Sequence, residues 1–378
     1  MAEKSQTFPI DEADDDADET REAAEEAGLV YVSDEEAGIR RRATHGGFAY
    51  VNSNGQPIRN EQTLRRIRSL AVPPAYADVW ICPKANGHIQ ATGRDARGRK
   101  QYRYHPRWLK LREETKYDHM LRFAATLPAL RAQVRADMAR RGLPREKVVA
   151  TIVNLLETTL IRVGNEDYAQ KNKSYGLTTL RNGHVAVDGG ELRFRFKGKS
   201  GKSWNLRLKD RRIAKIVKAC QELPGQHLFE FLDEQGVPRS LNSSDVNAYL
   251  RQATGEEITA KDFRTWHGTV LAAAALREFE VFDTKALAKK NVRAATERVA
   301  ARLGNTTTIC RKCYIHPEVL TSYLDGRLLE EIEVEVEAEL RDDLARLRPE
   351  EAAVLALLNK RLKQDGGSAR RKAGKAGS

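Results

Sequence analysis

Cysteine is scarce. Cys82, Cys220, Cys310 and Cys313 are the only four in 378 residues, too few for a disulfide scaffold and in keeping with a reducing cytoplasm. Long apolar runs are missing too. No stretch of about 18 apolar residues exists to span a membrane, and the N-terminus is acidic and polar, unlike a signal or transit peptide. Metal-ligand patterns are equally thin. The eight histidines form no HExxH and no other ligand spacing, and the carboxylates show no cluster suited to a two-metal nuclease. Cys310 and Cys313 with His316 offer three ligands but no second pair, so neither a metal nor any other cofactor is expected. Gly201-Lys202-Ser203 ends like a phosphate loop. The glycine required five residues earlier is Phe196, and the segment joins two strands, which excludes a nucleotide site.

What is abundant is positive charge, unevenly placed. The formal net charge is +12, yet residues 1–26 hold eleven acids against two bases. With that net of −9 set apart, the rest of the chain carries +21. A body this basic points to a polyanionic partner, with nucleic acid the first candidate. The densest stretch is 94–112, where Arg94, Arg97, Arg99, Lys100, Arg103, Arg107, Lys110 and Arg112 face Asp95 alone, with Gln101, Tyr102 and Tyr104 interleaved. Bases anchor phosphates, while amides and aromatic rings reach sugars and base edges.

Periodicity divides the chain. Residues 1–27 have no apolar period and read as a disordered acidic tail. Residues 28–112 read as a small β-rich domain, with strands at 29–32, 48–51, 78–82 and 88–93 and turns at 52–55 and 83–87. From Trp108 a helical period dominates, as in Val148, Ile152, Leu155, Leu156 and Leu160. Leu192, Phe194 and Phe196 alternate, as do Trp204, Leu206 and Leu208, which predicts a β-hairpin with lysines at its tip. Thr259 with Asp262 marks a helix start, Gly304 a helix end, and Pro317 a first turn. A long helical stretch is expected over about 327–362, broken near Pro349, and 363–378 reads as a basic disordered tail. The fold class is α+β: a small β-rich N-terminal domain before a larger, mainly helical domain (113–362) with an inserted hairpin.

Phosphoryl transfer without a metal needs a nucleophile that forms a covalent intermediate, fixed cations on the non-bridging oxygens and an acid for the leaving oxygen. Arginine suits the oxygens, lysine the acid and tyrosine the nucleophile.

Several segments in order carry a resemblance. They are Val72-Pro73-Pro74-Ala75-Tyr76, Gly87-His88-Ile89-Gln90-Ala91-Thr92-Gly93-Arg94-Asp95 and Arg99-Lys100-Gln101-Tyr102-Arg103-Tyr104-His105, then Ile161-Arg162-Val163-Gly164-Asn165 with Tyr168. Gly198-Lys199, Lys261-Asp262-Phe263-Arg264-Thr265 and Gly304-Asn305 with Tyr314 complete the series. Over about residues 28–325 the chain resembles the poxvirus-like type IB DNA topoisomerases of viruses and bacteria. The resemblance implies an N-terminal DNA clamp, a tyrosine recombinase-like catalytic domain, and a monomer acting on duplex DNA in the cytoplasm, at the nucleoid. It implies that Tyr314 forms a 3′-phosphotyrosine, that Arg162 and Arg264 hold the non-bridging oxygens, and that Lys199 protonates the 5′-oxygen, with Lys202 the alternative acid. Arg94, Arg99, Lys100, Gln101, Tyr102, Tyr104, Tyr168, Lys202 and Lys261 would contact DNA. The family often has histidine where this chain has Asn305. An amide keeps a hydrogen-bond donor there but loses the charge and any acid–base role. A tyrosine site-specific recombinase shares this chemistry; Lys261 in place of the usual histidine three residues before Arg264 disfavours it, as does the β-rich N-terminal domain.

The acidic tail is a candidate competitor for the DNA groove. Deleting residues 1–26 is expected to tighten DNA binding at low salt, with the gain fading as salt screens the tail. A filter-binding titration that finds no change removes the idea.

Overall fold

The computed structural model describes residues 21, 23–25, 27–279, 282–328 and 347–360. The chain divides into two compact units, Met1–Asp118 and His119–Ser378.

The first unit is built on one antiparallel sheet. Strands β1 (Ile39–Thr44), β2 (Gly47–Val51), β3 (Ala77–Ile81), β4 (Ile89–Arg94) and β5 (Lys100–Tyr104) lie in the order β2-β1-β3-β4-β5. Helix α1 (Glu61–Ser69), capped by the Asn60 side chain, joins the small core of Ile39, Ile67, Val79, Ile81 and Ala91. The expected strands at 48–51, 78–82 and 88–93 are present within a residue or two. The expected strand at 29–32 is not: only Val30 bridges, to Gly87, while the Val32 amide donates to His88 Nδ1 at 3.1 Å. Strand β1 escaped the hydrophobic pattern because it is Ile-Arg-Arg-Arg-Ala-Thr. Its middle arginine serves as a tether. The Arg41 guanidinium lies 4.2 Å from the Phe48 ring centroid and donates to the carbonyls of Val72, Pro73 and Tyr76. Residues 21–27, expected in the disordered tail, instead include a helical turn that seats Ala24 against Leu29 and Trp108. Its alanines carry no side-chain entropy cost on ordering. A truncation that leaves this contact intact stops at residue 20.

The second unit is mainly helical. Helix α2 (Pro106–Met138) contains the unit boundary and is followed by α3 (Arg145–Thr159) and α4 (Glu166–Asn172). The expected hairpin is present as β7 (Glu191–Lys197) and β8 (Ser203–Lys209), with β6 (Val185–Asp188) adding a third strand. Helix α5 (Arg211–Gln221), the short pair β9 (Glu230–Leu232) and β10 (Pro238–Ser240), and α6 (Ser243–Thr254) lead to α7 (Ala260–Arg277). Then come α8 (Lys285–Leu303), α9 (Thr307–Cys313) and α10 (Pro317–Leu324). Helix α7 is the axis of the unit. Its capping box, Thr259 with Asp262, forms as expected, and thirteen of its residues are buried, on every side of the helix. Residues 349–360 are helical; the rest of the predicted 327–362 helix falls largely outside the described residues, as do 1–20 and the basic tail.

Buried charge is concentrated beside α7. Arg131 donates two hydrogen bonds to Glu351, at 2.7 and 2.9 Å, and another to Glu157 at 2.9 Å. Arg348 also reaches Glu157, at 3.1 Å. His267 lies against this hub, 7% exposed, and burial pulls its imidazole pKa down to about 4. A base held neutral in the fold stabilises it fully above its unfolded pKa of about 6.5, and that contribution is lost as pH falls from about 6.5 to about 4. The loss amounts to about 3 kcal/mol. His267→Gln is therefore expected to flatten the pH dependence of urea-unfolding stability between pH 6.5 and 4. Parallel wild-type and variant curves would contradict the assignment.

Candidate active site

The site grows from two helix ends. Helix α3 closes with Leu160 in the left-handed conformation (φ 60°), and α8 closes with Gly304 (φ 65°). Each leaves carbonyls that no helical amide satisfies. Arg264, on α7 and 4% exposed, supplies the donors: its guanidinium bonds the Leu160 carbonyl and, at 2.7 Å, the Leu303 carbonyl. A cation between two helix C-termini also meets the negative ends of both dipoles. Burial lowers the Arg264 pKa, which the neighbouring Tyr314 partly offsets.

Arg162 follows Leu160 by two residues, and Asn305 follows Leu303 by two. The Arg162 backbone is held by the Leu177 amide at 2.9 Å, and its guanidinium donates to Asn305 Oδ1. Arginine can only donate, so the amide oxygen must face it, and the Asn305 Nδ2 group points away, buried and without a hydrogen-bond partner. Burial, then the like charge of Arg264, bring the Arg162 pKa down to about 10, so it stays cationic at neutral pH.

Tyr314 stands at the C-terminal cap of α9, where its amide bonds the Cys310 carbonyl at 3.0 Å. The Arg264 guanidinium lies 5.1 Å from its ring centroid. Its backbone rests on α7 at Gly268. A Cβ on that glycine would come within 2.4 Å of the Tyr314 carbonyl oxygen. The next residue, Thr269, accepts a hydrogen bond from the His316 amide at 3.1 Å. Gly268 and Thr269 were not singled out from the sequence. The signal was there: a lone glycine inside a helix four residues after Arg264.

Arg162, Arg264, Asn305 and Tyr314 thus form one contact group. Lys199 is placed at the exposed hairpin tip between β7 and β8, with its ammonium 5.6 Å from the centroid of Tyr168 on α4. Asn165 caps α4 by accepting from the Tyr168 amide. Lys202 is exposed at the end of the same tip, and Lys261 is exposed in the first turn of α7.

In the first unit the period of β5 separates the expected DNA contacts. Tyr102 and Tyr104 share one face, their rings stacked at 5.8 Å, with Lys100 5.4 Å from the Tyr102 centroid. Gln101 and Arg103 are buried on the other face. Gln101 donates to Asp95 at 3.2 Å, the same carboxylate that pairs with Arg99 at 2.6 Å. Lys100 pairs with Asp34 at 2.8 Å, and Arg94 donates to the Gly98 carbonyl at 3.0 Å.

Among the described residues, Glu157, His267 and Glu351 are the group whose ligand atoms come within 4.8 Å of one another. Both carboxylates already accept from Arg131, and Glu157 also from Arg348, so two carboxylates there already face two guanidinium groups. Burial pushes the Cys310 thiol up to about 11, far from a ready thiolate ligand. No helix of the described residues is long and apolar enough to cross a membrane.

Two family descriptions match this architecture. Residues 105–341 match "Eukaryotic DNA topoisomerase I, catalytic core", and 47–95 match "Bacterial DNA topoisomerase IB, N-terminal domain". The chain is 31% identical to the DNA topoisomerase 1B of Acanthamoeba polyphaga mimivirus over 294 residues, covering 76% of this chain and 87% of the relative. It is 21% identical to the DNA topoisomerase 1B of vaccinia virus (strain Copenhagen) over 263 residues, and 21% identical to the DNA topoisomerase I of monkeypox virus over 258. Each of these alignments covers 68% of this chain and 78% of the relative.

Gly268→Ala is expected to destabilise the fold by about 1–3 kcal/mol, since α7 or the Tyr314 backbone must shift. A thermal melt indistinguishable from wild type would show that the contact is slack.

Proposed function

The chain belongs to the type IB DNA topoisomerase family, and we propose that it relaxes supercoiled duplex DNA by cutting one strand, letting it swivel and resealing it. The observation that carries the residue assignment is the contact of Arg264 with Tyr314, beside an Arg162 held on Asn305. Tyr314 Oη attacks the scissile phosphorus. The new P–O bond forms as the P–O5′ bond breaks, leaving a 3′-phosphotyrosine and a 5′-hydroxyl. The phenol proton leaves to water, and Lys199 supplies the proton that the 5′-oxygen takes up. Arg162 and Arg264 meet the charge that builds on the non-bridging oxygens, and the Asn305 Nδ2 group donates to one of them. These cations supply the stabilising charge, so no step calls for a metal. The phosphodiester energy is kept in the phosphotyrosine bond, so resealing needs no ATP.

We assign DNA clamping to residues 28–112 and catalysis, on a tyrosine recombinase-like fold, to 113–362, in a monomer working in the cytoplasm at the nucleoid. Lys100, Tyr102 and Tyr104 touch DNA from one face of β5, with Arg94 and Arg99 at the adjoining loop. Gln101 acts from behind, by holding Asp95. Tyr168, Lys202 and Lys261 bind phosphates near the catalytic group. The relatives above carry topoisomerase names, which favours relaxation over strand exchange between two sites.

With EDTA and no ATP, the purified protein is expected to convert supercoiled plasmid into a ladder of relaxed topoisomers; an unchanged plasmid overturns the reading. Denaturant quenching traps an adduct on a DNA 3′-end, which Tyr314→Phe abolishes. Arg162→Ala and Arg264→Ala slow single-turnover cleavage by about 10²–10³-fold.

A further inference from the structure

One large side chain connects the hairpin to the rest of the site. Trp204 opens β8 opposite Phe196 of β7, and the two rings stack at 6.0 Å and 3°. The indole then meets two glycine backbones that are remote in sequence. A Cβ on Gly198 would lie 2.7 Å from Trp204 Nε1, and a Cβ on Gly304 would lie 2.9 Å from Trp204 Cζ2. The five-membered ring therefore touches the hairpin tip, and the six-membered ring touches the turn that closes α8. Gly198 directly precedes Lys199, and Gly304 directly precedes Asn305. Neither contact admits a side chain on the glycine.

Inside the tip the backbone bonds are local, while the Lys199 ammonium lies 5.6 Å from the Tyr168 ring centroid on α4. The Gly198 amide bonds the Lys202 carbonyl at 2.8 Å, and the Gly201 amide bonds the Gly198 carbonyl at 3.0 Å. Ser200 and Gly201 both take positive φ, 62° and 73°. Such bonds shape the loop without setting its height over the body of the unit. The rigid bicyclic ring, braced by Phe196, reaches from the tip to the turn at Gly304.

We propose that Trp204 is a positioning residue for cleavage, a spacer between Gly304 and Gly198 that sets the reach of Lys199. The proposal rests on Lys199 acting as the acid of the reaction above. In that step the Tyr314 oxygen bonds phosphorus as the P–O5′ bond breaks, and the proton passes from the Lys199 ammonium to O5′. A spacer error of an ångström lengthens that transfer without touching the arginines.

The test uses the full chain and two duplexes identical except at the scissile bond, one with a 5′-bridging oxygen and one with a 5′-bridging sulfur. A thiolate leaves without a proton. Trp204→Ala is expected to cut the oxygen duplex about 10–100-fold slower than wild type, at unchanged DNA affinity, and the sulfur duplex within a few-fold of wild type. Trp204→Phe, which keeps the stack on Phe196 but shortens the spacer, falls between them and guards against a folding failure. Lys199→Ala is run beside them, and the double variant closes a cycle. The proposal predicts a double variant no slower than Lys199→Ala alone. Trp204 variants that are slow on both duplexes while sulfur restores Lys199→Ala overturn it. If sulfur fails to restore Lys199→Ala, the acid assignment falls instead, and the cycle still decides: a double variant slower by the product of the two single effects refutes the spacer role, and no further slowing upholds it.

Discussion

A buried arginine between two helix ends organises this site. Removing a guanidinium from water is costly unless its donors are met. Two Arg264 nitrogens are met by the Leu160 and Leu303 carbonyls, which the ends of α3 and α8 leave unsatisfied, while Nε is buried without an acceptor. The arrangement suits arginine alone, since lysine has no fork to reach two divergent carbonyls at once. Both carbonyls lie two residues before a side chain of the candidate site. Anchoring the helix ends therefore delivers Arg162 and Asn305 to the same place, and their mutual hydrogen bond closes the ring.

The backbone at Tyr314, the proposed nucleophile, is seated on α7. Gly268 lets the chain at Tyr314 lie directly on α7, and Thr269 bonds the amide two residues further on. The Tyr314 side chain meets the Arg162 and Arg264 guanidinium groups. The same helix thus contributes Arg264, the seat of Tyr314 and, at His267, a buried neutral imidazole, all within six residues. That concentration explains why α7 is buried on all sides while its ends are locally capped.

Much of the local structure was legible. Thr259 with Asp262, Gly304 and Pro317 lie at helix termini as their side-chain chemistry dictates, and the alternation through Phe194, Phe196, Trp204 and Leu206 marked the hairpin. Where the pattern misled, packing had outweighed it. β1 is a strand in spite of three arginines because it pairs with β2 and β3, Arg40 and Arg42 are exposed, and the Arg41 tip finds carbonyls. The segment 29–32 is apolar enough for a strand, yet it lies along a loop and bonds a histidine side chain. Gln101 stands beside Tyr102 in the sequence, yet the strand sends the two to opposite faces.

By itself the sequence determined the charge segregation, the two-part organisation, the helix boundaries and, through spaced motifs, the residue types available for phosphoryl transfer. These depend on neighbours a few positions apart, whose capping and periodicity act over one or two turns. Only the tertiary structure decided that Arg264 would tie together carbonyls at 160 and 303, that the Asn305 amide would turn its nitrogen away from Arg162, and that Trp204 would bridge two glycines. Those outcomes depend on close approach between segments 39 to 143 residues apart. Such contacts are governed by shape and by the need to satisfy buried polar groups, and no local pattern encodes either.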